Sequence, residues 1–345
     1  MMMPLGSPPT AAEIDAWCAV LAETHAHDLP PTVPGPERAS TAGELRIAGL
    51  GSRHLHLGVR LPDGRPGYAG VASLRLYDDP ENAKTAFVDT LAVRPGQRRQ
   101  GIGARLWEAL QAVLVTEGRS SASVMLEGGG AGEAFARARG FDRVLPLNYY
   151  VQDVAEADTA PVDTAPGGAP GVPHAEGARG RLRLPDGYRF AEWTGIAPDE
   201  HAAAFAAAHQ SMEDAPSGDF EVRPPRWDAE RVRAAARVPV ERGGVMLAVS
   251  ALAADGTVAG YTELVLPTPE SARAVQYDTV VLPNHRGHGL GRVVKQRMLE
   301  VLRERHPAVR EIATTVADDN APMIAVNAAL GYRPERPAAV YQIRL

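Results

Sequence analysis

Apolar residues recur along this chain with two different periods, and the two alternate in a repeated order. At the start, Ile14, Trp17, Cys18 and Leu21 share one face of a helical pattern, with Thr10 placed as N-cap and Glu13 three residues on. Leu29-Pro30-Pro31-Thr32-Val33-Pro34-Gly35-Pro36 follows and cannot be helical. Strand patterns are then expected at Leu45 to Ile47, His54 to Arg60, Gly70 to Leu76 and Thr85 to Val93. A helix through Leu106, Trp107, Leu110 and Val113, a short strand from Ala122 to Leu126 and a helix from Glu133 to Arg139 come next. An apolar run ending Tyr149-Tyr150-Val151 closes this half.

The order then repeats. Helices are expected from Pro198 through His209 and from Asp228 through Val232, and strands at Val245 to Leu252, Val258 to Leu266 and Ala274 to Leu282. A long helix from Leu290, a strand at Ile312 to Val316, a helix from Ala321 to Leu330 and a last strand complete the series. Between the halves, Asp153 to Gly180 holds Ala, Pro, Gly and Asp with almost no large apolar residue, the composition of a flexible linker. The expected division is therefore 1–152, a linker at 153–182, and 183–345. Gly70 matches Gly260, Gly101 matches Gly289, and Gly140-Phe141 matches Gly331-Tyr332, with Tyr150 and Tyr341 each ten residues after their glycine. Landmarks kept in register imply an internal duplication.

Both halves carry the same turn. Val281-Leu282-Pro283-Asn284-His285-Arg286-Gly287-His288-Gly289-Leu290-Gly291 runs from a strand through a glycine- and arginine-rich turn into a helix, and Val93-Arg94-Pro95-Gly96-Gln97-Arg98-Arg99-Gln100-Gly101-Ile102-Gly103 repeats it. Strand, tight turn and helix start point several backbone N–H groups at one spot, where the helix end favours an anion. The dipole contributes only ~0.3–2 kcal/mol, whereas micromolar affinity needs about 8 kcal/mol. Several charge-assisted N–H bonds, roughly 1.5–3 kcal/mol each, must converge. Arg286, Gly287, His288, Gly289, Leu290 and Gly291 can supply them for a phosphate or pyrophosphate, with Arg98, Arg99, Gly101 and Gly103 as the first-half counterparts.

Composition narrows the class. The 345 residues suffice for two domains, and 45% hydrophobic with 23% charged residues is the balance of a soluble globular protein. A formal net charge of -6 argues against a general nucleic-acid binder. No apolar run reaches membrane-span length and the start lacks a signal peptide's basic and apolar regions, so a cytoplasmic location is expected. Cys18 is the only cysteine, which excludes an internal disulfide and a Cys-based zinc site. His25/His27 and His54/His56 show no evident third ligand, and surface or core roles are expected of them.

The chain resembles the GCN5-related N-acetyltransferase (GNAT) superfamily, as a tandem pair of such domains. The resemblance rests on Arg98/Gly101/Gly103 after Val93-Arg94-Pro95 and on Arg286/Gly289/Gly291 after Val281-Leu282-Pro283. It implies an α/β (α+β) chain in which each domain is a mixed, mostly antiparallel twisted sheet flanked by helices. It further implies acetyl-CoA as cosubstrate, its pyrophosphate held by the glycine turn, and a strand N–H, that of Val281 or Val93, polarising the thioester carbonyl. An amine then attacks directly, with no enzyme nucleophile and no metal. Asp278 is where many members place an acidic residue and reads as general base; Glu263 competes for that role, and a locally paired carboxylate is the alternative for Asp278. Asn320 matches the asparagine that bonds the pantetheine arm, doubling as a helix N-cap, and Asn327 keeps the family spacing. Many members carry a tyrosine at that last position, which protonates the leaving thiolate; here stand Asn327 and, in the first half, Ala136.

Comparison of the copies places catalysis in the second half. Glu127-Gly128-Gly129-Gly130-Ala131-Gly132 replaces the asparagine segment in the first, and the Pro-rich stretch is expected to replace its second helix. The expected activity is N-acetylation of the primary amine of a small polar metabolite by a monomer or homodimer that engages neither nucleic acid nor membrane. The alternatives are a non-catalytic acyl-CoA-binding protein and transfer to a peptide or protein amine. The helices from Pro198 to Met212 and Asp228 to Ala236, with Glu213 and Asp214 between them, are expected to line the acceptor cleft.

Overall fold

The protein is described by a computed structural model covering residues 2–155, 183–211 and 217–345. The linker residues from 156 onward and the loop holding Met212, Glu213 and Asp214 lie outside the described residues.

The first half is built of β1 (Met2–Pro4), α1 (Ala11–Asp28), α2 (Arg38–Arg46), β2 (Ser52–Arg60), β3 (Tyr68–Tyr77), β4 (Thr85–Val93), α3 (Ile102–Thr116), β5 (Ser121–Glu127), α4 (Ala131–Arg137) and β6 (Asp142–Asp153). The second half consists of β7 (Tyr188–Thr194), α5 (Asp199–Gln210), α6 (Ala229–Glu241), β8 (Val245–Ala253), β9 (Val258–Leu266), β10 (Arg273–Val281), α7 (Leu290–Arg305), β11 (Glu311–Ala317), α8 (Ala321–Ala329) and β12 (Arg333–Arg344). Thr10 caps α1 as expected, accepting from Glu13 N while Glu13 reaches back to Thr10 N.

Two expectations fail in the same place. Leu45 to Ile47 is not a strand, because Leu45 is buried in α2 and Ile47 caps that helix. The Pro-rich stretch therefore does not replace a second helix; it connects α1 to α2. The reason is tertiary. Gly43 of α2 lies against the backbone of Arg242 at the end of α6, where an added Cβ would come within 2.4 Å of the carbonyl oxygen. Arg242 Nε and Nη2 donate to Ile47 O at 3.1 and 2.9 Å. A helix that polar is held by its seat rather than by propensity.

All twelve strands join in one sheet, ordered β1-β2-β3-β4-β5-β12-β6-β11-β10-β9-β8-β7. The halves exchange their last strands: β12 pairs with β5, β6 pairs with β11, and the two pair with each other. Tyr341 is thus buried in the first half's core beside Leu106 and Leu110, while Tyr150 and Val154 are buried in the second half's core beside Leu299 and Leu302. Helices α3, α4, α7 and α8 pack on one face of the sheet; α1, α2, α5 and α6 pack on the other.

Among the described residues only two strand pairs are parallel, and each is brief. β4 and β5 pair from Thr85↔Ser121 to Phe87↔Ser123, and β10 and β11 from Arg273↔Glu311 to Val275↔Ala313. Beyond those residues the strands part, leaving a gap in each half that opens toward the glycine turn.

Candidate active site

The glycine turn forms as its sequence dictates. A 3-10 turn at Pro283–His285 leads to Gly287 and Gly289, whose φ angles of +82° and +74° suit residues without a Cβ. The first bonds of α7 run from Arg292 and Val293 N to Gly289 O, both at 3.1 Å, so the N–H groups of Leu290 and Gly291 precede the helical ladder. Arg286 Nε donates to Val281 O at 3.2 Å, which fixes the guanidinium at the turn. Tyr188 of β7 holds His285 at 2.9 Å, and His288 lies on the exposed side of the turn.

The first half repeats the fold of the turn with different surroundings. Arg98 Nε donates to Val93 O at 3.1 Å, but its two Nη atoms are taken by Asp28 at the end of α1, at 2.7 and 2.5 Å. Arg99 occupies the place of Gly287 with a φ of +63°. Phe135 of α4 leans on Gly103, and Arg139 stacks over the ring at 3.4 Å. The corresponding Gly291 meets only Val281, at 3.4 Å. Phe135 thus fills the groove between α3 and α4 at the turn.

Backbone alternation orients the strand that leads into each turn. Leu282 N donates to Ala259 O at 2.9 Å, which turns the preceding N–H, that of Val281, toward the opposite edge and hence the gap. Arg94 N donates to Ala69 O at 2.9 Å, so Val93 is set the same way.

A bulge in β10 answers the register question that the sequence leaves open. Pairing shifts between Gln276↔Leu264 and Thr279↔Thr262, with Asp278 inside the bulge and Glu263 opposite it. Both carboxylates reach the same imidazole: His209 of α5 has Nε2 3.4 Å from Glu263 Oε2 and Nδ1 3.9 Å from Asp278 Oδ2. The ring lies among Phe205, Trp227 and Tyr261, at centroid distances of 4.7, 4.4 and 4.6 Å. Neither ring nitrogen has a hydrogen bond among the described residues, nor has the buried Tyr261 hydroxyl.

Burial sets the protonation of this group. It pushes His209 down to about 4, so the imidazole is neutral at pH 7. It pushes Glu263 well above the ordinary carboxylate range, and the adjacent Asp278 adds to the shift. Asp278 rises to about 6 from burial of its carboxylate. It is nonetheless the accessible member of the group, with 38% of its side chain exposed against 9% for Glu263. The sequence nominated both carboxylates and missed His209, which lies far from either along the chain; a histidine on the apolar face beside Phe205 was the available signal. The three also offer ligand atoms within 4.8 Å of one another, the spacing a cation would use.

Asp278 opens on a cavity of about 780 Å³. Its walls come from both halves: Leu29 and Val33 of the α1–α2 connection on one side, Val275 and Tyr277 of β10 on the other. Helix α5 contributes to the site through His209, from behind the carboxylates.

At the matching positions the first half has no such group. Ser73 stands where the second half has Glu263 and Thr90 where it has Asp278, while Asp89, which matches Tyr277 in the bulge, is held by Arg75 through both carboxylate oxygens. His54 and His56 are core histidines pushed down to about 4 by burial.

Asn320 caps α8, accepting from Met323 N at 3.2 Å. Asn327 is fully buried and accepts from Lys295 Nζ at 2.8 Å.

The family assignment follows from a match of the acetyltransferase (GNAT) family model to residues 24–141 and again to residues 191–332. The chain belongs to the GNAT family. A tandem GNAT protein from the clavulanic acid biosynthesis pathway, solved without acetyl-CoA, is 28% identical over 100% of this chain and 98% of that one, with a TM-score of 0.79. A GCN5-related N-acetyltransferase from Sphaerobacter thermophilus shares the fold at 14% identity, covering 99% and 95% of the two chains, with a TM-score of 0.65. The glucosamine N-acetyltransferase region of a fungal multi-domain beta-N-acetylglucosaminidase shares it at 13% identity and a TM-score of 0.66, over 99% of this chain and 38% of that one. No curated protein matches the sequence. The tandem GNAT architecture read from the duplicated turns is thus shown, and acyl-CoA-dependent acetyl transfer is the family's chemistry. Among the described residues no helix is long and apolar enough to cross a membrane.

Proposed function

We propose that the protein transfers the acetyl group of acetyl-CoA directly to a primary amine, in a ternary complex assembled in the second half. The observation that carries this reading is Asp278, set in the β10 bulge beside the gap, accessible from the cavity and titrating near neutrality. The turn from Arg286 to Gly291 would hold the pyrophosphate, and the Val281 N–H would receive charge developing on the thioester oxygen. Asp278 takes the proton of the attacking amine. Glu263, kept protonated by its burial beside Asp278, and neutral His209 sit behind it. The group works by proton transfer, without a metal.

The first half supports this division of labour. With Ser73 for Glu263, Thr90 for Asp278, Arg98 tied to Asp28 and Phe135 against Gly103, it keeps the turn but neither the base nor the open groove. Its α1–α2 connection instead walls the second half's cavity. A cavity of about 780 Å³ suits a small metabolite, and the relative from the clavulanic acid pathway supports a small-molecule acceptor over a protein.

Thiol release from acetyl-CoA with a panel of amines tests the reading. Arg286→Ala should raise the KM for acetyl-CoA about tenfold or more, the loss of one charged hydrogen bond, while Arg98→Ala leaves it near wild type. The reverse pattern would move catalysis to the first half. Absence of thiol release with every amine would favour an acyl-CoA-binding protein, a reading that draws on one observation: Asn327, which cannot donate a proton as an acid, stands where many family members have a tyrosine.

A further inference from the structure

Three buried positions between α7 and α8 differ in concert from their first-half counterparts. In the first half, Trp107, Ala136 and Phe141 make an apolar contact, the two rings edge-to-face at 5.1 Å. In register with the duplicated glycines, the second half has Lys295, Asn327 and Tyr332. Lys295 is 5% exposed and Asn327 0%. A lysine alone in place of Trp107 would strand an ammonium in a core. Here the other two changes receive it: Asn327 Oδ1 accepts from Nζ at 2.8 Å, and the Tyr332 ring presents its face at 4.4 Å. A pure packing requirement is met more cheaply by the first half's residues, so the polar set is retained for some other use.

Its location indicates that use. Tyr332 Oη donates to Gln276 Oε1 at 3.4 Å, and Gln276 is the residue at which β10 leaves β11. Gln276 Nε2 donates in turn to Thr262 Oγ1 and Glu263 O, at 2.7 and 2.6 Å. The lysine network therefore lies directly behind the gap on the α7/α8 face, across the sheet from Asp278. An acyl donor anchored at the turn, with its carbonyl on Val281 N–H, runs along this edge. An amine approaching from the Asp278 side expels the sulfur toward the other face. The Asn327 amide nitrogen, buried, has no partner among the described residues. Among the described residues no carboxylate or guanidinium acts on Lys295; burial brings it down to about 7, so it gives up a proton at neutral pH.

We propose that Lys295, held by Asn327, delivers the proton to the sulfur that leaves the acyl donor. The proposal rests on the acyl-transfer reading above. The new C–N bond forms, the C–S bond breaks, Asp278 takes the proton from nitrogen, and the Lys295 ammonium gives one to sulfur and is left as the neutral amine. Exchange with solvent restores both groups. Asn327 is a positioning residue.

Lys295→Met keeps the volume and removes the proton. With acetyl-CoA it should lower kcat about 10²- to 10⁴-fold at nearly unchanged KM. With an acetyl ester of a nitrothiophenol, whose thiolate needs no proton to leave, the loss should shrink to a few fold. The thiol of bound CoA, followed by thiolate absorbance, should titrate at higher pH in the variant than in the wild type, because a neighbouring cation is gone. Equal losses on both thioesters, or an unchanged thiol titration, would overturn the proposal and leave Lys295 as a packed polar residue. If wild-type protein turns over no amine, the acyl-transfer reading fails, and the bound-thiol titration still decides whether Lys295 acts on the sulfur. Lys295→Gln carries the same readouts should the methionine variant not fold.

Discussion

Tyr341, in the last strand of the second half, donates its hydroxyl to Glu133 of the first half at 2.5 Å and fills a pocket in the first half's core. Neither half closes its own core. We therefore expect residues 1–155 and 183–345, expressed as separate chains in one cell, to co-purify as a one-to-one complex. Either alone should aggregate or self-associate through the β5 or β11 edge. Size-exclusion chromatography with mass measurement checks this; a stable monomer of 1–155 would show that the exchanged strand is dispensable.

Asp278→Asn should reduce kcat about 10²- to 10⁴-fold and remove the acidic limb of the pH–rate profile. The sign follows from its role: a base that titrates at about 6 is inactive when protonated, so wild-type activity rises as pH climbs through 6. Glu263→Gln should retain more activity and leave that limb where it is, since burial already keeps the Glu263 carboxyl protonated where Asp278 titrates. Dialysis against a chelator should leave turnover intact. Loss on chelation with recovery on added zinc would turn His209, Glu263 and Asp278 into a metal site.

Gly43→Ala tests the seat between α2 and α6. In an exposed helix this change stabilises by roughly 1 kcal/mol. Here the new Cβ would lie 2.4 Å from Arg242 O, a backbone atom that cannot swing away. We expect a net destabilisation of about 1–3 kcal/mol, read as a lower Tm. An unchanged or raised Tm would mean that the halves slide freely at this contact.

Lys295 also predicts how stability varies with pH. Its folded pKa of about 7 lies below the ordinary 10.5, so between those values the unfolded chain binds the extra proton. Stability then rises with pH across that window. In Lys295→Met this rise should be absent, as measured by urea midpoints from pH 7 to 10. Parallel curves for the two proteins would place the ammonium in a more hydrated site than its burial implies.

The glycine turns were legible in the sequence because their conformation is local: φ near +75° at Gly101 and Gly289 demands a residue without a Cβ wherever the rest of the chain lies. Asp278 and Glu263 were legible as candidates but not as a pair, because a one-residue bulge decides which face Asp278 joins. The α2 helix was misread because Gly43 weakens its propensity while supplying its contact with Arg242. Lys295 sits among Val293, Val294, Met298 and Leu299 on a helix whose pattern reads as amphipathic. Only its register with Trp107, counted from the duplicated glycines, marks the lysine as an inward position. The exchange of β6 and β12 leaves no local mark at all, since either partner offers each strand the same alternation.

That exchange bears on how the molecule is made. β12 is the last of the twelve strands to be synthesised, yet it occupies the middle of the sheet, between β5 and β6. During translation the first half emerges with a vacancy where Ala339 and Tyr341 will lie, beside an unpaired β5 edge. It must keep that edge from other nascent chains for the whole time the ribosome spends on the second half.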